Sequence, residues 1–433
     1  MRILNVTAQK PDSTGSGTYL SALVASELAA GHEAAVVCGI DDGDPTDAVP
    51  RGAQVYPVHF CTPELPFHVC GMSDVMPYAA TRYRDLTPEM AAAFERAFSS
   101  AVRAAVDAFR PDVVICHHLY LLMAIVRECV PGVPVVGISH STDLRQLRQH
   151  GLARERVAAA ASALDGICAL HGAQVAEIQE VLSVDPARIS VVGVGYDPAV
   201  FHPDPSVPRG PGSLLYVGKI CQAKGVPSLL RAVARMEREG RAPSRLRLAG
   251  GWGSAQAECD AIRAQAAELS TPVEFLGRLS PSALAEQYRA ADTFVLPSFF
   301  EGLPLVAVEA LACGCKAVLT DLPGVRPWLT SGLPGAPVRW VEVPAVTDVD
   351  KPDPAGLPAF EARLAEQLAA SLAEKAPTLD ATPLSWGAVL GRALASVRWP
   401  RSAVFSRWTP ALAPERVPGR HRRRSRSLPP ESD

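Results

Sequence analysis

Short apolar runs alternate with helical patterns along almost the whole chain. In the first half, strand-like runs stand near Ile3–Thr7, Ala35–Ile40, Val55–Phe60, Val113–Cys116, Val135–Ile138, Gly166–Ala169 and Ile189–Val192. Helical stretches such as Tyr19–Ala30 and Met90–Phe109 fall between them. The pattern restarts at Leu214–Val217 and continues through Arg245–Ala249, Val273–Leu276, Phe294–Leu296 and Lys316–Thr320. Strands alternating with helices predict parallel α/β sheets. Between the halves, Val194 to Gly212 is rich in Pro and Gly and reads as an interdomain linker. The expected architecture is two parallel-sheet domains facing a cleft, over residues 1–196 and 213–386, joined by a linker at 197–212. A helix is expected over about 387–400, and 400–433 is expected to form a basic tail.

The stretch from Asp292 to Gly314 holds the densest candidate chemistry. Thr293 to Leu296 is a short apolar strand, followed by a loop with Pro297, Ser298, Glu301 and Gly302. Pro304 is expected near the first position of a helix, where a missing N–H costs nothing, and Gly314 ends it. The free N–H groups and dipole at a helix start favour an anion. Glu301 lies just before that start, and Glu309 lies about 7 Å further along the axis at about 1.5 Å per residue. That is about the reach from a pyrophosphate to a ribose, so the geometry suits a nucleotide diphosphate carrying a further group.

Other strand ends add candidates. Asp12-Ser-Thr-Gly15-Ser-Gly17-Thr-Tyr19 follows the first strand, and its glycines allow close backbone approach to a phosphate. It is not Gly-x-Gly-x-x-Gly, and no ribose-binding acid is recognised at the end of the second strand, so a dinucleotide site is not indicated. Lys219 and Lys224, on a loop leading into a helix, can neutralise a pyrophosphate and its leaving charge. His117 and His118 end one strand and His140 ends the next, and ligands of open α/β sheets bind at carboxyl ends of strands.

Composition narrows the classes. At 433 residues the chain suits two or three domains, and 48% apolar content supports buried cores. A net charge of −3 argues against a general nucleic-acid binder. The ten cysteines show no Cys-x-x-Cys pair and no metal-ligand spacing, so reduced thiols are expected. The N-terminus lacks the apolar core and cleavage site of a signal peptide, and no apolar run reaches the length of a membrane span, which points to a cytoplasmic protein. From residue 398 on, nine arginines stand against three acids, which leaves −9 on the rest. Such a run reads as a solvated tail, with a weak peripheral membrane contact as its alternative.

The setting Ser-Phe-Phe-Glu301-Gly-Leu-Pro-Leu-Val-Ala-Val-Glu309-Ala-Leu-Ala-Cys-Gly closely resembles the nucleotide-sugar signature of retaining family 4 glycosyltransferases of the GT-B fold, two Rossmann-like domains facing a cleft. The resemblance spans about residues 1–397, and it implies that the helix opened by Leu384-Ser385-Trp386-Gly387 crosses back onto the first domain. It includes the hinge Val194-Gly-Tyr-Asp…Phe201-His-Pro, the run Gly218-Lys219-Ile-Cys-Gln-Ala-Lys224-Gly225 and the strand-and-loop Leu248-Ala-Gly250-Gly-Trp-Gly. Thr14-Gly15-Ser-Gly17 resembles the family's Gly-Gly-x-Gly loop, and Lys219 stands where the family often has Arg. His140 resembles the family's sugar-contacting histidine. His117 matches the second His of a His-x-His whose first position is Ile115 here.

The resemblance implies a retaining glycosyltransferase that moves a sugar from a nucleotide diphosphate, a UDP-sugar first among them, to a hydroxyl of an acceptor. It implies no cofactor and no metal. His140, Glu301, Lys219 and Lys224 would carry the chemistry. Gly15, Gly17, Gly250, Gly302, Leu303, Leu305 and Glu309 would bind the donor, and His117 and Tyr19 the acceptor. The irregular segment over 61–88, rich in Pro, Met and aromatics, is the candidate acceptor loop. A sugar-nucleotide epimerase, a phosphorylase, a dinucleotide oxidoreductase and an inactive partner subunit are the competing readings.

Overall fold

The computed structural model describes residues 1–11, 14–73, 76–253, 255–348 and 351–399; Asp12 of the first glycine loop, 74–75 of the candidate acceptor loop and the basic tail over 400–433 lie outside them. β1 (Arg2–Thr7) runs into α1 (Gly15–Ala29), then β2 (Glu33–Asp41) and β3 (Gln54–Phe60). A long connection holding the short pair β4 (Cys70–Gly71) and β5 (Thr81–Arg82) leads to α2 (Pro88–Phe109). β6 (Val113–His117), α3 (Leu121–Cys129), β7 (Val135–Ile138), α4 (Thr142–Gln149), α5 (Arg154–Ser162), β8 (Gly166–Ala169), α6 (Gly172–Leu182) and β9 (Ile189–Val191) follow. The large sheet has the order β3-β2-β1-β6-β7-β8-β9, and its pairings are parallel. Its inner strands are buried almost throughout, because helices cover both faces.

α2 shows how such a cover forms. Thr87 caps it by accepting from Met90 N, and Pro88 takes the first turn. Phe94, Phe98, Val102, Ala105 and Phe109 recur at helical spacing and are buried against the sheet. Replacing one of these phenylalanines with Ala would cost about 3–5 kcal/mol. α1 begins at Gly15, earlier than the apolar pattern predicts, because Thr14 Oγ1 accepts from Gly17 N at 3.1 Å and caps the first turn. Gly15 and Gly17 therefore belong to the first turn of the helix and not to a free loop.

The second lobe repeats the plan. β10 (Ser213–Val217), α7 (Val226–Arg238), β11 (Arg245–Ala249), α8 (Gln256–Ala267), β12 (Val273–Gly277), α9 (Pro281–Ala290) and β13 (Thr293–Leu296) are followed by α10 (Leu305–Ala312), β14 (Lys316–Asp321), α11 (Val325–Gly332) and β15 (Val338–Glu342). Six strands form a parallel sheet in the order β12-β11-β10-β13-β14-β15. A small hairpin of β16 (Val346–Asp348) and β17 (Lys351–Pro352) precedes α12 (Leu357–Ala373), which packs on α7, β14 and β15.

α13 (Trp386–Ala395) returns to the first lobe and packs on α1 and β9. Ser385 caps it. The crossing is pinned by backbone bonds from Tyr196 N to Leu384 O at 3.2 Å and from Trp386 N to Tyr196 O at 3.1 Å. Arg392 Nε donates to Val192 O at 2.9 Å. The carboxyl ends of the inner strands of both sheets carry the candidate residues. No helix among the described residues is long and apolar enough to cross a membrane.

Candidate active site

The first wall of the cleft comes from the start of α1. An added Cβ at Gly15 would meet nothing within 4 Å, so the helix start opens directly onto free space. Tyr19, one turn further, is buried; its hydroxyl donates to Gly193 O at 3.3 Å. Its ring stands edge-on to His140 at 5.0 Å and to Trp386 at 4.8 Å.

The ends of β6 and β7 hold the three histidines. His117 and His140 stack at 5.6 Å with 20° between their planes, and His118 lies 4.9 Å from His140. His118 has φ +84, and its N–H donates to Ile138 O at 2.9 Å. Burial drives all three toward the neutral form: His117 falls to about 3, with His118 adding to the effect. His140 falls well below its ordinary value for the same first cause, with the neighbouring histidines second. His118 is also lowered by burial, opposed by the Asp143 carboxylate.

Behind His117 runs a buried chain of polar groups that the sequence pattern hides. Asn5 Nδ2 donates to both carboxyl oxygens of Glu27, at 3.1 and 2.9 Å. With the amide in this orientation, Asn5 Oδ1 faces His117 Nε2 at 3.2 Å and can accept from it. The Nδ1 of His117 has no partner among the described residues. Burial raises the Glu27 carboxyl to about 8, with Asn5 pulling the other way. Asn5 interrupts an apolar strand, and Glu27 is the one charged residue in the buried phase of α1.

The second wall comes from the loops after β10, β11 and β13. Gly250, at φ +140, passes so close to Gly218 that a Cβ would stand 1.9 Å from the Gly218 carbonyl oxygen. Gly225 at φ +70 meets the Pro297 carbonyl in the same way, at 2.1 Å. These contacts lock the lysine loop against the Glu301 loop. Lys224 Nζ donates to Glu301 Oε1 at 2.7 Å and to Phe300 O at 3.2 Å. Lys219 and Gly302 are exposed. Pro304 is the residue preceding α10, at φ −76 and ψ 100, and not its first helical residue. Glu309 lies within α10 and accepts from the buried Tyr288 hydroxyl at 3.3 Å. Burial raises its carboxyl to about 7, and the Tyr288 bond partly offsets that. Ser298 Oγ, fully buried in the same loop, has no partner among the described residues.

A cleft of about 350 Å³ joins the two walls. Thr14, Gly15, Tyr19 and His140 line it from the first lobe, and Leu303 and Leu305 from the second. Val194 and Trp386 line it where the chain crosses between lobes, and Met72, Ser73 and Met76 come from the segment over 61–88. His117 is not on this wall; it stands behind His140. Lys219, Lys224, Glu301 and Glu309 lie on the second lobe outside the lining. Trp386, Tyr288, Asn5 and Glu27 are site neighbours that motif reading passed over. Asp41 stands at the carboxyl end of β2, where its carboxylate is tied to Lys10, His68 and Val69 N.

Two family descriptions match the chain: "Glycosyl transferase 4-like domain" over residues 14–195 and "Glycosyl transferases group 1" over 211–347. The D-inositol 3-phosphate glycosyltransferase of Rhodococcus erythropolis is 31% identical over 207 residues, which is 45% of this chain and 45% of that protein. The chain thus spans about half the length of that relative. The glycogen synthase of Mycobacterium tuberculosis is 29% identical over 352 residues, covering 77% of this chain and 81% of that protein. Among solved structures, sucrose-phosphate synthase of Thermosynechococcus elongatus superposes with TM-score 0.55 at 18% identity, over 91% of this chain and 98% of that one. Anabaena HepE in complex with UDP and glucose does so with TM-score 0.53 at 15% identity, over 92% and 99%. With the signature stretch in place and family matches in both lobes, the chain belongs to the group 1, family-4-like glycosyltransferases of the GT-B fold.

Proposed function

We propose that the protein transfers a sugar from a nucleotide diphosphate sugar to an acceptor hydroxyl with retention at the anomeric carbon, and that it needs no metal for the transfer. The observation that carries this reading is the cleft, where Gly15, Tyr19 and His140 face Leu303 and Leu305 with the Lys224–Glu301 pair on the same lobe. The diphosphate would lie between the start of α1, Lys219 and Lys224, where fixed positive charge stabilises the leaving group. Glu301 would hold the sugar and Glu309 the ribose. Neutral His140 would bond a sugar hydroxyl. The bond from the anomeric carbon to the phosphate oxygen breaks, the acceptor oxygen bonds to that carbon on the same face, and the acceptor proton passes to the departing phosphate. No protein nucleophile is required.

The relatives are named for D-inositol 3-phosphate and for glycogen, so the acceptor is proposed to be a polyol or saccharide hydroxyl. It would meet the wall formed by Met72, Ser73 and Met76. A thermal-shift screen over UDP-, GDP-, ADP- and TDP-sugars tests the donor class, beginning with UDP. A true donor at about 100 times its Kd adds about 2.7 kcal/mol of stability. No shift with any of them contradicts the reading. The anomeric configuration of the product, read by NMR, tests retention.

A further inference from the structure

On the opposite side of the β1 end from the histidines, three side chains from three segments converge. Asp41 ends β2, Cys61 follows β3, and His68 lies in the connection beyond it. His68 Nδ1 lies 3.1 Å from Asp41 Oδ2 and 3.2 Å from Cys61 Sγ. All three ligand atoms lie within 4.8 Å of one another.

Carboxylate and thiol both approach His68 Nδ1, as ligands around one point do, rather than flanking the ring as in a proton relay. A relay would contact the imidazole through opposite nitrogens. With zinc bond lengths of about 2.0–2.3 Å, a tetrahedral site has N···O and N···S edges of about 3.4 and 3.6 Å. The observed separations differ from these by a few tenths of an ångström. Thiolate, imidazole and carboxylate together suit zinc(II).

The surroundings are built for it. Asp41 Oδ1 accepts from Val69 N at 3.0 Å, which aims the other oxygen at His68. Asp44 Oδ2 accepts from Asp41 N at 3.0 Å. Lys10 Nζ bridges the two acids, at 3.0 Å to Asp41 and 2.5 Å to Asp44. Lys10 pairs with the same Asp41 Oδ2 that faces His68, so it must share or give up that oxygen when a metal binds. Of the ten free cysteines, Cys61 alone is exposed.

We propose that Asp41, Cys61 and His68 form a zinc(II) site with an open fourth position, clipping the ends of β2 and β3 to the segment that carries Met72, Ser73 and Met76 into the cleft. The site lies outside the donor machinery, so its failure leaves the glycosyl-transfer reading intact, and the reverse also holds.

The test uses the tag-free full chain, reduced and stripped with a chelator, titrated with zinc(II) against a chromophoric chelator and with cobalt(II) by absorption. One equivalent should bind, and cobalt should show a thiolate-to-metal charge-transfer band. Cys61→Ser and His68→Ala should each lose more than the 10–100-fold in affinity typical of outer-shell partners, while Cys129→Ser changes nothing. Lys10→Met should tighten binding, because the ammonium competes for Asp41 Oδ2. The metal-free variants should melt within a degree or two of the wild type, since Cys61 and His68 are exposed. No stoichiometric binding, no thiolate band, or unchanged affinity in Cys61→Ser overturns the site.

Discussion

Lys224 Nζ stands 2.7 Å from Glu301 Oε1. The cation proposed for the diphosphate and the carboxylate proposed for the sugar therefore form one ion pair, and any diphosphate that reaches Lys224 shares its ammonium with Glu301. The pair is partly exposed, so its own contribution to stability is small. Its position follows from the backbone: Gly225 and Pro297 bring the two loops into close contact.

Lys224→Ala should weaken nucleotide diphosphate binding far more than nucleoside binding. Calorimetry with UDP and uridine, or with the base the screen selects, reads the difference. Equal losses for both would place Lys224 away from the phosphates.

If Glu309 holds the ribose as proposed, its carboxyl, raised by burial to about 7, should make donor affinity pH-dependent. Ribose hydroxyls donate to a carboxylate and lose one acceptor when it is protonated. Nucleotide affinity should fall as pH drops from 8 to 6, by several-fold. Glu309→Gln should flatten the profile. Tyr288→Phe, which removes the bond holding the carboxyl down, should move the midpoint upward. A flat profile in the wild type would contradict the ribose role.

Glu27 gives a second pH signature, in stability. Its carboxyl is raised from an ordinary 4.5 to about 8 in the folded chain. Between those values the unfolded chain releases a proton that the folded one keeps, so stability falls as pH rises. The full contribution is present below about 4.5 and is lost by about 8. Glu27→Gln keeps the bond to Asn5 and removes the titration. From pH 5 to pH 7 it should gain on the wild type by on the order of 2 kcal/mol, read by chemical denaturation at each pH. No pH-dependent difference would mean that Glu27 ionises in place.

EDTA treatment should leave transfer to an acceptor largely intact, and adding magnesium or manganese should not stimulate it. Lysines and helix starts then supply the positive field. Activity lost to EDTA and restored by magnesium would require a metal on the diphosphate.

Much of the fold was legible because strands buried on both faces read as continuous apolar runs, as in β2 and β14. The Glu301–Glu309 stretch was legible because a strand, a loop and a helix carry it in one continuous segment. Asn5 and Glu27 were not: Asn5 interrupts an apolar strand, Glu27 is the one charged residue in the buried phase of α1, and their meeting depends on how α1 packs on β1. Tyr288 reads as an ordinary helix aromatic until α9 places it beside Glu309. Asp41, Cys61 and His68 share no motif spacing, since the ends of two neighbouring strands and a loop bring them together. The Tyr19–Trp386 contact depends on how α13 docks on α1; the return of that helix was legible only through the resemblance of Leu384-Ser385-Trp386-Gly387, and the contact itself was not.

The division of labour between the two carboxylates is the centre of the account. A sugar contact that tightens in the transition state lowers kcat when lost, while a uniform ribose contact mainly raises the donor KM. Glu301→Gln should cut kcat by about 10²-fold, equivalent to about 2.7 kcal/mol, and leave the bare nucleotide diphosphate bound nearly as before. Glu309→Gln should weaken the bare nucleotide as much as the full donor. Calorimetry with both ligands on both variants is the most direct measurement. Donor-specific loss for Glu301→Gln and equal loss for Glu309→Gln are the expected results; the reverse pattern swaps the roles, and no change in either variant contradicts the donor site itself.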